Sequence, residues 1–101
     1  MIRGTTPKLE FELPFDTLLI AKMYVTISQN NRVVIEKTIA DCNCQGSAVT
    51  LALTQEDTLK FQQNPRETAE IQIRIRTKDG NALASNIIRV FVGRILKEGV
   101  I

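Results

Sequence analysis

Apolar side chains recur at every second position along much of the chain, the period of a strand that buries one face. Leu9, Phe11 and Leu13 alternate with Lys8, Glu10 and Glu12, and Pro14 ends that strand because proline cannot donate to a ladder. Phe15-Asp16-Thr17-Leu18-Leu19 reads as a crossing loop that drops Phe15 or Leu18 onto the core. From Ile20 to Ser28, Ala21, Met23, Val25 and Ile27 share one face, and Lys22, Thr26 and Ser28 the other. Gln29-Asn30-Asn31 is a turn, and a strand follows from Arg32 to Ile39. If Val33, Ile35 and Ile39 face the same core as Val25 and Ile27, a two-residue turn is in the wrong register. It would pair Ile27 with Val34 and turn one apolar set outward. A three-residue loop pairs Ile27 with Val33 and Val25 with Ile35, with asparagine in the left-handed conformation it tolerates.

Asp41 to Gly46 is rich in turn formers, and Val49, Leu51 and Leu53 then alternate again. Thr54-Gln55-Glu56-Asp57 has the form of a capping box, with Thr54 as N-cap and an acid at the third helical position. One helical turn over 55–61 is expected there, laying Leu59 and Phe61 over one end of the core, with Gln62-Gln63-Asn64-Pro65 breaking it. Ile71, Ile73 and Ile75 alternate with Glu70, Gln72, Arg74 and Arg76. Lys78-Asp79-Gly80-Asn81 is a hairpin signal, and the last strand is predicted from Ala82 to Val92. Six or seven short strands with one helical turn make an all-β, antiparallel, immunoglobulin-like sandwich, with a small barrel as the second choice. The expected organisation is a single domain over 1–101, with an N-terminal arm at 1–7 and a C-terminal tail at 94–101.

Composition strengthens the strand reading. Twelve Ile, seven Val and ten Thr make 29 of 101 residues β-branched, which suits a pleated surface better than a helix. It also removes chemistry. With no histidine, there is no imidazole base, no Ser-His or Cys-His pair and no imidazole metal ligand. Ser28, Ser47 and Ser85 have no such partner, and Asp16, Asp41, Glu56 and Asp57 stand where turns and helix starts use acids as caps. Cys42 and Cys44 supply two soft ligands where a structural zinc site needs four, and reduced thiols in a turn or strand end are the expected state. The expectation is no enzyme, no cofactor and no metal. A net charge of +2 with interspersed signs gives no nucleic-acid footprint. The opening residues lack the apolar stretch of a signal peptide and no apolar run reaches membrane-spanning length, so a soluble protein made in the cytoplasm is expected.

Two surfaces stand out. With Asp79-Gly80 at a hairpin tip, Glu70 falls opposite Arg89 and Arg74 opposite Ser85, an ordinary solvated face that also includes Arg76. The last strand is apolar on both sides, with Ile88, Val90 and Val92 on one face and Leu83, Ile87 and Phe91 on the other. Together with Ile95, Leu96, Val100 and Ile101 of the tail, Leu83, Ile87 and Phe91 are the candidate contact residues.

Arg3-Gly4-Thr5-Thr6-Pro7, Leu13-Pro14-Phe15-Asp16, Leu53-Thr54-Gln55-Glu56-Asp57-Thr58-Leu59 and Lys78-Asp79-Gly80 leading into Ala84-Ser85-Asn86-Ile87-Ile88 carry a resemblance. The chain resembles small prophage proteins of Gram-positive, especially clostridial, bacteria, which are similar to the N-terminal domain of phage baseplate upper proteins. That resemblance implies a β-rich structural module of a phage tail or baseplate, with other tail proteins or further copies of itself as partners and a place in the virion. It brings no catalytic residues, and the receptor-side regions of longer baseplate upper proteins have no counterpart here. An immunoglobulin-like module that binds a host glycan or protein is the alternative.

Overall fold

The computed structural model describes residues 1–62 and 68–101, so the expected break at Gln63-Asn64-Pro65 lies outside the described residues. The chain is a sandwich of two antiparallel sheets. Strands β1 (Lys8–Glu12), β5 (Ala48–Ala52) and β4 (Cys42–Gln45) form one sheet in the order β1-β5-β4. The second runs β3 (Arg32–Thr38), β2 (Ile20–Gln29), β6 (Thr68–Thr77) and then β7 (Ala82–Ala84), with β8 (Ile88–Phe91) also paired to β6. A hairpin partner and a return strand flanking a central β2-β6 pair, faced by a three-stranded sheet, is the strand arrangement of an immunoglobulin-like sandwich.

The alternating residues meet between the sheets. Met23, Val25 and Ile27 of β2, Ile71, Ile73 and Ile75 of β6, and Val49 and Leu51 of β5 are all buried. Phe61 closes one end beneath the helix α1 (Gln55–Leu59). The expected capping box is present: Thr54 Oγ1 accepts from the Asp57 N–H (3.1 Å), and Asp57 accepts from the Thr54 N–H (3.0 Å).

The β2-β3 hairpin departs from the expected three-residue loop. Asn30 and Asn31 both sit at positive φ (54° and 61°), the requirement of a two-residue type I′ turn, and Ile27 pairs with Ile35. The register conflict is solved by a bulge. Ser28 pairs with Val33, so Val34 is the extra residue, and Val33 is turned to solvent at 60% exposure. Other local expectations also change. Phe15 packs on the core but Leu18 is exposed in a 3-10 turn (Thr17–Leu19) capped by Asp16. Ala21 is exposed, because β2 has a second irregularity between Ile20 and Lys22. Cys42–Gln45, expected as turn, is strand β4, and Ile39 ends in a 3-10 turn (Ile39–Asp41), packed partly on the core.

The last strand is not continuous. Arg74 pairs with Ala84, not Ser85, while Glu70 pairs with Arg89 as expected. One residue more lies between Ala84 and Ile88 than between Arg74 and Ile71, so β7 and β8 are offset by a bulge at Ser85-Asn86-Ile87.

Both ends of the chain are tied down. Ile2 bridges Gly93 in parallel, the Arg3 N–H donates to Gly93 (3.0 Å), and the Gly93 N–H donates to Met1 (2.7 Å). Arg3 is buried: Nε donates to the Phe61 carbonyl (2.7 Å), one terminal nitrogen to the Leu59 carbonyl (3.1 Å), and the other pairs with Glu98 (2.8 Å). A guanidinium there satisfies carbonyls at the helix end and suits its partial negative charge. In the tail, Ile101 exchanges two bonds with the Gln55 amide (2.9 and 3.2 Å). Gly4 sits at φ +73°, a left-handed conformation that side chains resist, and a Cβ there would press on Ile95 Cδ1 at 3.1 Å.

Candidate assembly surface

The sandwich is open along one edge. There β1 and the segment after it face β7 and β8 across a cleft of about 510 Å3, walled by Phe11, Leu13, Ile73, Ile75, Leu83 and Ile88. Leu83 pairs with buried Ile75 and therefore points inward, not to the side of Ile87 and Phe91 as the unbroken strand implied. The bulge moved it: a one-residue offset exchanges the two faces of a strand. Leu83 and Ile88 thus form the lower lip of the cleft, and both remain exposed because β1 does not reach over them.

Ile87 and Phe91 lie on the outer face. Ile87, 51% exposed, borders a small hollow with Thr26, Ser28 and Gln72, and Phe91, 56% exposed, stands opposite Thr68. The tail separates into two environments. Ile95 is half-buried near Gly4, whereas Leu96, Val100 and Ile101 are exposed, Leu96 at 89%. The seven candidate contact residues therefore occupy a cleft lip, an outer sheet face and the tail beside α1, not one patch.

The other side of the large sheet is polar. Tyr24 pairs with Arg74 and Lys22 with Arg76, and Lys22 Nζ lies 5.5 Å from the Tyr24 ring centre. Arg89 and Glu70 approach only to 4.0 Å at an exposed site, a contact worth little.

Three of the four acids that composition offered for catalysis are caps. Asp16 accepts from the Leu18 N–H (2.9 Å) and Asp41 from the Thr38 N–H (2.9 Å). Asp57 completes the α1 box and meets Lys37 Nζ at 3.2 Å, while Glu56 is exposed in the first turn. Ser47 donates to Glu12, and Ser85 is bound to the Ile73 backbone. Cys42 and Cys44 are free thiols on one face of β4, packed partly against the core. Burial, with Cys44 and Asp41 nearby, pushes the Cys42 thiol above its ordinary range, which lowers its thiolate fraction and its nucleophilicity. Among the described residues no three or more His, Cys, Asp or Glu side chains gather where an ion could be held. No helix among them is long and apolar enough to cross a membrane.

No protein-family model matches the chain, and no curated protein or solved structure matches it either.

Two features of these surfaces were hidden in the sequence. Burial of Arg3 had no local signal, since its acceptors are 56 and 58 residues away. The cleft depended on Leu83 facing inward, and a period-two reading without the bulge placed it outward.

Proposed function

We propose that the chain is a non-enzymatic structural component of a phage or prophage tail or baseplate that works through protein–protein contacts. The observation that carries this reading is the unclosed edge of the sandwich, where an apolar cleft ends in exposed Leu83 and Ile88. Contiguous exposed apolar surface of this kind marks contact sites in soluble domains. The phage assignment rests on the sequence resemblance. On this reading the protein is made in the bacterial cytoplasm and ends in the virion tail. The test is mass spectrometry of virions purified after prophage induction in the source strain. The chain is expected to co-purify with tail proteins in fixed ratio, and its absence from intact particles would overturn the assignment.

A module that holds a host glycan or protein is the second reading, favoured by the polar hollow between Lys22, Tyr24 and Arg74. Specific retention on cell-wall glycan by the wild type, lost in Tyr24→Ala, would favour it.

A further inference from the structure

Two free strand edges flank the cleft. Among the described residues β1 pairs only with β5, and β7 only with β6. Each therefore turns a row of backbone N–H and C=O groups to solvent, which is a template for a further strand. The two edges run in opposite directions. Pro7, before β1, accepts from Leu53 beside α1, and Phe15, after β1, reaches the Thr77–Leu83 end. The chain leaves that end through β7 and β8 and returns to Gly93, bonded to Arg3 beside α1.

Charge divides the same way. Glu10 and Glu12 are exposed on the outer face of β1. Arg74 and Arg76 are exposed on the outer face of β6, with only Ala84 and Ala82 opposite them on β7. Nothing longer than a methyl group stands between those guanidiniums and the free edge. Lys22, paired with Arg76, adds a third cation, and like charges directly opposite each other are unfavourable in a sheet. None of the three has an ion-pair partner among the described residues.

The geometry points to a two-fold dimer in which β7 of each copy pairs antiparallel with β1 of the other, placing Glu10 and Glu12 of one beside Arg74 and Arg76 of its partner. It rests on the assembly reading above and names the partner, a second copy of this chain. A dyad parallel to the strands, set in the mouth of the cleft, exchanges the two sheets but preserves height and strand direction. Glu10 and Glu12 line the same cleft as Leu83 and Ala84. In the second copy they are carried across the mouth of the cleft, one strand beyond Ala82 and Ala84 and on the outer face that holds the arginines. The alternation of β1 then carries Phe11 and Leu13 of the second copy inward, against Leu83 and Ile88. Both copies use the same patch, as a closed two-fold contact requires, and the free edges of β1 and β7 are both covered.

Sedimentation equilibrium on three forms of the full chain tests this: wild type, Glu10→Lys/Glu12→Lys, and Arg74→Glu/Arg76→Glu. Far-UV circular dichroism and thermal melts establish that each is folded. Wild type is expected to dimerise, and each variant alone to dimerise at least about tenfold more weakly, since both of its strand pairings now oppose like charges. An equimolar mixture of the two variants is expected to recover wild-type affinity, because each pairing in the mixed dimer again joins opposite charges. A wild type that stays monomeric at millimolar concentration overturns the dimer but not the assembly reading, which the virion composition tests separately. A dimer indifferent to both variants, or a mixture that fails to recover, overturns the β1-β7 geometry.

Discussion

The backbone N–H of Ile73 donates to the hydroxyl of Ser85 (3.0 Å), and the Ser85 N–H donates back to the Ile73 carbonyl (2.9 Å). The side chain stands in for a main-chain acceptor where the last strand loses register. The Gln72 amide also bonds the Ser85 carbonyl (3.0 Å). Ser85→Ala leaves the Ile73 N–H without this acceptor and is expected to cost about 1 kcal/mol. Urea titration measures it as a lower midpoint with an unchanged slope. Ser85→Thr, which keeps the oxygen, should lose less, and equal losses in the two variants would contradict the role.

Arg3 joins the first residues, the end of α1 and the tail through acceptors that include the Phe61 and Leu59 carbonyls and the Glu98 carboxylate. Arg3→Met removes charge-assisted bonds from partly buried carbonyls, and a loss of about 2–3 kcal/mol is expected. Arg3→Lys should recover only part of it, because an ammonium cannot hold that forked geometry. Hydrogen exchange in Arg3→Met should quicken in α1 and around Gly93 while β2 and β6 stay protected. Uniform quickening would show a general loss of stability instead.

Asp57 gives the fold a dependence on pH. Burial alone would raise its pKa, but the Thr54 N–H, the Lys37 ammonium and the Thr54 hydroxyl outweigh burial and hold the carboxyl below the usual carboxylate range. A folded pKa below the unfolded one of about 3.9 stabilises fully above that value, and the benefit is lost as pH falls through the folded value. Asp57→Asn is expected to cost about 1–2 kcal/mol at neutral pH. Denaturation midpoints followed into acid should show the gap between variant and wild type closing. A constant gap would mean that the carboxylate charge contributes nothing.

Asn31 has the positive φ that a side chain resists and glycine accepts. Asn31→Gly should be neutral or slightly stabilising by thermal melt, whereas Asn31→Val should cost about 1 kcal/mol or more. Equal melting temperatures for the two would argue against a fixed type I′ turn.

The features that were legible in the sequence are local ones. Alternation around Ile71, Ile73 and Ile75 located β6, and Thr54 and Asp57 announced the helix start three residues apart. What was illegible depends on distance or on breaks in period. The extra residue at Val34 and the one at Ser85-Asn86-Ile87 each reverse which side chains face inward, yet neither carries a glycine or proline to signal it. Asn30-Asn31 did signal a turn, but demanding strict alternation for Val33 and Ile35 selected a loop one residue too long. The same assumption placed Leu83 on the wrong face and concealed the cleft.

The parallel bridge between Ile2 and Gly93, and the Arg3–Glu98 pair spanning 95 positions, have a consequence during synthesis. At about 5–20 residues added per second, the first strand-like residues wait several seconds before their partners are made. Their contacts are non-local, the kind that slows folding because the entropy of closing a long loop is lost before the contact forms. Until residues 91–98 emerge from the ribosome, Arg3 has no Glu98, and the sheet lacks the segment that Met1–Arg3 joins. Folding of this domain is therefore expected to finish only once residues 93–98 have been made, with the large hairpins formed first and the Ile2–Gly93 and Arg3–Glu98 contacts sealed last.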